Sequence, residues 1–406
     1  MSEGSPLPAH VPADRVRDFN VWAPPGFERD VHGAWKALQD GAPDVVWTPR
    51  NGGHWVALRA SAIKECFEDY TRFSSRCILV PKEAGESFQW KPVTLDPPEH
   101  APYRIHLTAA FAPKAFRPYE PRIRDIARQL IESFRERGRC DFQSEFGEKM
   151  PIMIFMEIMG LPLEDAWTLK GWSDRMTRRV DDDAGDVTQA FDSYLRPHVR
   201  ARRDGSGSDA ITALVNSRVG GERITEDDGV ILVTSALQAG LDTVANFLGL
   251  AFTHLARFPE LRRQLVADPA LIPAAVDEFL RRYSVITIGR KIVEDTQLGG
   301  VELKAGEMIV LPSMLVGLDE RANPDPDTIR LGRKGASEAA FGGGAHRCPG
   351  ERLARRELAI AVEEWLAAIP EFALEPDVTL TYQTGVVPVA TSIPLCWDVA
   401  TTRPAA

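Results

Sequence analysis

One stretch constrains this chain more than any other: "TEDDGVILVTSALQAGLDTVANFLGLAFTHLARF", positions 225 to 258. From Val230 to Ala256 the side chains are apolar nearly all round, a pattern that predicts a long helix buried on every face. Thr225 and Asp228 stand at the spacing of an N-terminal capping box. The length also admits a membrane span, but Gln238, Asp242, Thr243 and Asn246 would be costly in lipid. A central helix through a large core is the better reading. Asp242 is then a carboxylate in an apolar setting, unfavourable unless paired or hydrated. Gly240, two residues earlier, weakens the helix and permits a local distortion.

Around this helix the chain is mostly helical. In "RIRDIARQLIESF", Ile123, Ile126, Leu130, Ile131 and Phe134 fall at helical spacing. "NGGHWVALRA" carries a turn signal followed by alternation and reads as a hairpin or short strand. "VELKAGEMIVLP" and the tail "VVPVATSIPLCW" also read as strands. Many helices with a few short strands make the expected fold class mostly α with small β sheets.

The formal charge of −10 over 406 residues argues against nucleic acid or an anionic membrane as the main partner. Five scattered cysteines without a CxxC pair fit a reducing, cytoplasmic setting and exclude a disulfide framework or an all-cysteine zinc site. The first residues, "MSEGSPLPAHVPADRVRDFN", hold no apolar signal core and read as a flexible, proline-rich arm over 1–19.

"FGGGAHRCPG", positions 341 to 350, sets Cys348 at the end of a glycine-rich loop and just before a strongly helical stretch. Glycines let the backbone approach another body closely, and a helix N-terminus favours a thiolate. Three readings compete: a buried structural cysteine, a nucleophilic thiolate, and an axial ligand to haem iron. The phosphatase form of the second needs an arginine six residues on, where this chain has Ala354.

The loop resembles the haem-binding loop of cytochrome P-450 monooxygenases, with Phe341, Gly342, Gly344, His346, Cys348 and Gly350 at that family's spacing. "EFLR" supplies the family's Glu-x-x-Arg pair, Glu278 and Arg281. "AGLDT" matches its oxygen-activating signature through Ala239, Gly240, Asp242 and Thr243. "DPPEHAPYR" supplies its His-x-x-x-Arg, His100 and Arg104. The likeness is closer still to the bacterial camphor-hydroxylase subfamily and runs from about Asn20 onward, which implies one triangular, mostly α haem domain over 20–406.

The resemblance implies roles. Cys348 is the proximal iron ligand of haem b, with loop amides on its sulfur and Phe341 and Gly342 beside the ring. His100, Arg104, Arg290 and His346 meet the two propionates. Ile288 stands where the relatives carry a propionate-contacting aspartate, so that end of the haem is expected to be more open or more apolar. Asp242 and Thr243 deliver protons from a solvent network to iron-bound oxygen, and Gly240 allows a kink that makes room for it. Glu278, Arg281 and an arginine of the "DTIRLGR" stretch, Arg333, brace the core near the haem loop.

The substrate pocket implied is formed by Leu79, Phe88, Trp90, Val93, Ser235, Gln238, Ala239, Ile286, Val386 and Val387. Phe88 replaces the tyrosine that anchors camphor's ketone in the relatives. A larger terpenoid ketone of the norisoprenoid (ionone-like) kind is therefore the expected substrate, and Gln238 offers a new polar contact. Electrons are expected from a [2Fe–2S] ferredoxin and its flavin reductase, docking near Arg72, Arg347, Arg352 and Arg355. The protein is expected to act as a soluble monomer. Peroxide-driven hydroxylation and a haem gas sensor are the alternatives.

Overall fold

The computed structural model describes residues 5–86, 89–178, 184–203, 205, 207–383 and 385–404. The helices that build the site are α1 (Ala101–Ala110), α2 (Glu120–Phe134), α3 (Lys149–Met159), α4 (Ala166–Arg178), α5 (Ala184–Arg203), α6 (Glu226–Arg257), α7 (Ile272–Arg282) and α8 (Glu351–Ala368).

The long helix α6 runs unbroken for 32 residues. Thr225 caps it by accepting from the Asp228 amide. The reciprocal half of the expected capping box is absent, because the Asp228 carboxylate turns away to Lys91 and Tyr103. Acidic Glu226, Asp227 and Asp228 in the first turn and Arg257 in the last complement the helix dipole. α6 is long and apolar enough to cross a membrane, but 78% of its most apolar window is buried inside the protein. That burial is what the all-round apolar pattern anticipates.

α3, α4 and α5 pack against α6, and α2 packs against α8. On α2, Ile123, Ile126, Ile131 and Phe134 are buried as their spacing predicts, and Leu130 is half-buried beside them. Phe252 of α6 and Trp365 of α8 meet at 5.2 Å, with Phe142 and Phe146 around them.

The second core lies under a five-stranded sheet. β1 (Val45–Thr48) and β2 (His54–Ala57) form the predicted hairpin, in register Trp47 to Trp55. β3 (Phe73–Ser74), β4 (Thr287–Ile292) and β5 (Met308–Pro312) complete the order β1-β2-β5-β4-β3. Arg290 therefore sits on an internal strand, opposite Ile309. The tail strand Pro394–Cys396 pairs with Arg139–Asp141.

The N-terminal segment, read from its prolines as flexible, is laid against this sheet from Ser5 onward. The Arg17 amide bonds the Trp47 carbonyl at 2.8 Å, Thr48 donates to the Phe19 carbonyl at 2.6 Å, and Val11 and Phe19 are buried.

Candidate active site

A cavity of about 400 Å³ separates α6 from the loop that precedes α8. From α6 it is lined by Ser235, Gln238, Ala239, Gly240 and Thr243, and from the loop by Phe341, Gly342, His346, Cys348 and Gly350. His100, Arg104 and Arg290 reach it from α1 and β4. The tertiary structure thus brings together segments near positions 100, 240, 290 and 345.

The loop owes its course to glycine. Gly344 has φ +59°, and a Cβ there would lie 2.3 Å from the Phe67 carbonyl oxygen. The loop is seated on the Phe67–Glu68 backbone at a distance that only glycine allows. The Cys348 amide then donates to the Phe341 carbonyl at 2.9 Å, and Gly350 leads into α8. Burial pushes the Cys348 thiol up, while the Gly350 amide, Arg104 and Arg347 pull it the other way. The expected lowering by the helix N-terminus is outweighed in the protein alone. A coordinated metal deprotonates such a thiol outright. Arg355 lies over the Phe341 ring at 4.6 Å.

One end of the cavity gathers nitrogen donors that make no ion pair with a carboxylate among the described residues, Asp96 acting on His100 and Arg290 only at longer range. The His100 and His346 rings approach to 4.3 Å, and the Nε2 atom of each is buried with no partner among the described residues. Burial, then the neighbouring Arg104, holds His100 down to about 4. Burial, then Arg290, holds His346 down to about 3. Arg290 is itself pushed down to about 10 by burial, and its Nη1 donates only to its neighbour's carbonyl, Gly289 O, at 2.9 Å. Arg104 is lowered for the same reason and donates to the Arg347 carbonyl. Such a cluster of buried, under-used donors fits a buried dianion. The two carboxylates of a haem, with Cys348 facing the same cavity, meet that requirement. Ile288 lines this region, as its position on β4 predicts.

On α6, Asp242 is 1% exposed and lies in an ion cluster. Arg178 Nη2 bonds its Oδ1 at 2.7 Å, Asn246 Nδ2 at 3.0 Å, and Lys170 Nζ stands 3.4 Å away. Both cations also pair with Asp174. Asp242 thus faces cations, and these pair in turn with Asp174, 32% exposed. Thr243 lines the cavity and donates to the Ala239 carbonyl at 3.0 Å. The helix continues through Gly240. Its missing side chain makes room for Phe155, whose ring would lie 2.4 Å from a Cβ.

Leu79, Trp90 and Val93 line the cavity as expected, as do Ile286, Val386 and Val387. Phe88 lies outside the described residues. Ser235 donates to the Lys91 carbonyl at 3.0 Å, and Gln238 bonds side chains of α4 rather than any backbone group. The expected basic docking face is largely neutralised. Arg72 pairs with Asp69 and Glu65, Arg347 with Glu338 and Glu351, and Arg355 with Asp277. Arg352 is exposed.

Sequence reasoning missed Lys170, Asp174 and Arg178, although their four-residue spacing puts all three on one face of α4. It also missed Glu357, buried in α8 and lining the cavity. An acid at helical spacing with the apolar face of "ELAIAVEEW", four residues before Ala361, was the available signal.

A thiol-bearing loop, a dianion site and a polar break in a buried helix, all on one apolar cavity, define a haem-thiolate oxygenase. Residues 145–377 match the family model "Cytochrome P450". The chain is 31% identical over 402 residues to a probable cytochrome P450 127A1 of Sinorhizobium fredii, covering 97% of each chain. It is 28% identical over 359 residues to a vitamin D(3) 25-hydroxylase of Pseudonocardia autotrophica, covering 86% of this chain and 88% of that one. Among solved structures, CYP101J2 superposes with a TM-score of 0.91 at 44% identity, and CYP101C1 with 0.90 at 40%. Each comparison covers 97% of this chain and all of the other. The chain belongs to the cytochrome P450 family. It is an oxidoreductase of the monooxygenase class with haem b as cofactor, acting on an organic substrate and O₂ with redox partner proteins.

Proposed function

We propose that this chain is a cytoplasmic, monomeric hydroxylase of apolar terpenoid ketones larger than camphor, of the ionone kind, supplied with electrons by a [2Fe–2S] ferredoxin and its flavin reductase. Residues 20–406 act as one unit. The observation that carries the reading is the sharing of one apolar cavity by Cys348, four under-used basic side chains and Thr243, with Asp242 next to Thr243 on α6.

In this reading Cys348 Sγ holds the iron, and His100, Arg104, Arg290 and His346 take the propionates. Phe341 and Gly342, which line the same cavity, would contact the bound group. Haem b, when bound, supplies the iron at which dioxygen is taken up and reduced. Thr243 Oγ1, its own proton on the Ala239 carbonyl, accepts a hydrogen bond on the cavity side. Asp242 Oδ2 has no partner among the described residues and is the atom that receives a proton from outside. Release of Arg178 toward Asp174 opens that path.

Leu79, Trp90, Val93, Ile286, Val386 and Val387 hold the substrate by burial. Each buried CH₂ adds about 0.8 kcal/mol, so a few extra carbons outweigh the single hydrogen bond that a phenylalanine at position 88 cannot donate. For the electron donor, exposed Arg352 beside the Cys348 loop is the available cation, and its neighbours are already paired. A few charges suffice to steer a transient encounter with an acidic ferredoxin.

The test is optical. The reduced protein with CO is expected to show the red-shifted Soret band of thiolate-ligated haem, and Cys348→Ala is expected to abolish it. A histidine-type CO spectrum in fresh wild-type protein overturns the assignment. For the substrate, ionone-type ketones are expected to give a larger spin-state shift and tighter Kd than camphor. The reverse order overturns that part.

A further inference from the structure

Gln238 stands at the meeting of α4 and α6, 5% exposed, in a wall that is otherwise apolar or internally bonded. Its two amide atoms have unequal partners. Oε1 accepts from the buried Ser173 hydroxyl at 2.9 Å. Nε2 faces only the Met176 thioether, at 3.2 Å. The reverse orientation would set the amide oxygen against sulfur with no proton between them, so this one is the stable choice. A thioether is a weak acceptor and engages one N–H; an amide nitrogen carries two.

The other polar side chains of this wall have no proton left to give. The Thr177 hydroxyl donates to the Ser173 carbonyl at 3.1 Å, Ser235 to the Lys91 carbonyl at 3.0 Å, and Thr243 to the Ala239 carbonyl at 3.0 Å. Each of these hydroxyls is able only to accept from a ligand. Gln238 Nε2 is the donor this wall keeps in reserve among its described side chains, and Ser173 holds it in place by the far end of the amide.

We infer that Gln238 Nε2 donates a hydrogen bond to an acceptor oxygen of the substrate and is the residue that selects oxygenated over purely hydrocarbon ligands. This rests on the substrate reading above and narrows it. The ligand is an apolar body with one carbonyl or ether oxygen, and that oxygen is aimed at the α4–α6 wall. The residue is a specificity determinant and takes no part in the chemical step. An apolar ligand without such an oxygen leaves the amide proton unpaired in a buried site, which is the stronger source of discrimination.

The experiment uses the haem-loaded protein, β-ionone, and the hydrocarbon in which its carbonyl is replaced by CH₂. Binding is read from the spin-state shift. The ketone-over-hydrocarbon ratio of Kd is expected to fall by about two- to tenfold in Gln238→Leu, through loss of ketone binding, with the hydrocarbon unchanged or tighter. Met176→Leu, which removes the thioether acceptor and spares the donor, is expected to keep or raise the ratio. In the wild type, the infrared stretch of carbonyl-labelled β-ionone is expected below its frequency in hydrocarbon solvent, returning to that frequency in Gln238→Leu.

An equal ratio in wild type and Gln238→Leu overturns the assignment while leaving the substrate reading standing. So does a wild-type carbonyl stretch at its hydrocarbon-solvent frequency, whether or not the variant holds haem. If neither β-ionone nor its hydrocarbon nor any other terpenoid pair shifts the spin state, the substrate reading fails and this inference fails with it.

Discussion

Two buried ion clusters in this molecule look alike in composition and differ in how completely they are satisfied. In the first, Arg281 of α7 is fully buried and its five N–H groups are all engaged. Nε and Nη2 bond Glu278, Nη1 bonds the Gly317 and Pro326 carbonyls, and Nη2 also bonds the Thr328 carbonyl. Glu278 in turn accepts from Arg333 and from the Arg330 amide. In the second, Asp242 Oδ1 is crowded by Arg178, Asn246 and Lys170, while Asp242 Oδ2, Asn246 Oδ1 and Arg178 Nε have no partner among the described residues. A saturated cluster has one arrangement and braces the structure. An unsaturated one has atoms free to accept a different arrangement, which a proton path requires.

The comparison breaks most visibly in the first cluster. Glu278→Gln leaves Arg281, with no exposed surface, short of its counter-charge. Removing one partner of such a pair costs about 3–5 kcal/mol. The expected outcome is a large drop in urea midpoint and loss of haem on purification. A variant that unfolds and binds haem like wild type would show that the cluster is not a brace.

Asp242→Asn is expected to cost less stability, because Asp174 still pairs with both Lys170 and Arg178. Its effect falls on turnover. Removing a positioned proton donor slows the step it serves by about 10²-fold or more. Product per unit time at saturating substrate, with the CO spectrum as a check on the haem, reads this directly. A variant that loses stability as Glu278→Gln does, at unchanged turnover, would make the two clusters equivalent.

The smallest effect is expected at a third buried acid, Glu357, which has no cation paired with it among the described residues. Burial alone lifts Glu357 from its ordinary 4.5 to about 8. Between those values the folded protein keeps a proton that the unfolded chain has released. The contribution is fully present below about 4.5 and is lost as the pH climbs to about 8. Glu357→Gln is expected to flatten the decline of the unfolding midpoint across that window. An unchanged slope would mean that Glu357 has a charged partner in solution.

Much of this was legible in the chain. The all-round apolar run of α6, the Glu278–Arg281 spacing, the glycine loop before Cys348 and the paired turn signal of β1 and β2 are local patterns, and they are present in the structure. Nine of the ten residues named for a pocket line the cavity, Phe88 lying outside the described residues. The misses are of two kinds. Asp242 meets Lys170 and Arg178 across about 64 to 72 positions of sequence, and that distance carries no local signal. Of the arginines expected at a docking face, Arg72 and Arg347 have acid partners three and four residues away that the sequence already offered, whereas the Arg355–Asp277 pair was visible only once folded.

Which residues are candidates for the chemistry was therefore set by the sequence. Thiolate ligation needs a cysteine, a close-approaching loop needs glycine, and a buried helix needs apolar side chains all round, so residue type alone points to each of them. What state those residues are in was decided by the tertiary structure. Whether Cys348 is raised or lowered, whether Asp242 meets water or cations, and which end of the Gln238 amide remains free depend on neighbours brought from distant segments. Burial and pairing are properties of the folded surroundings, and no single stretch of the chain contains them.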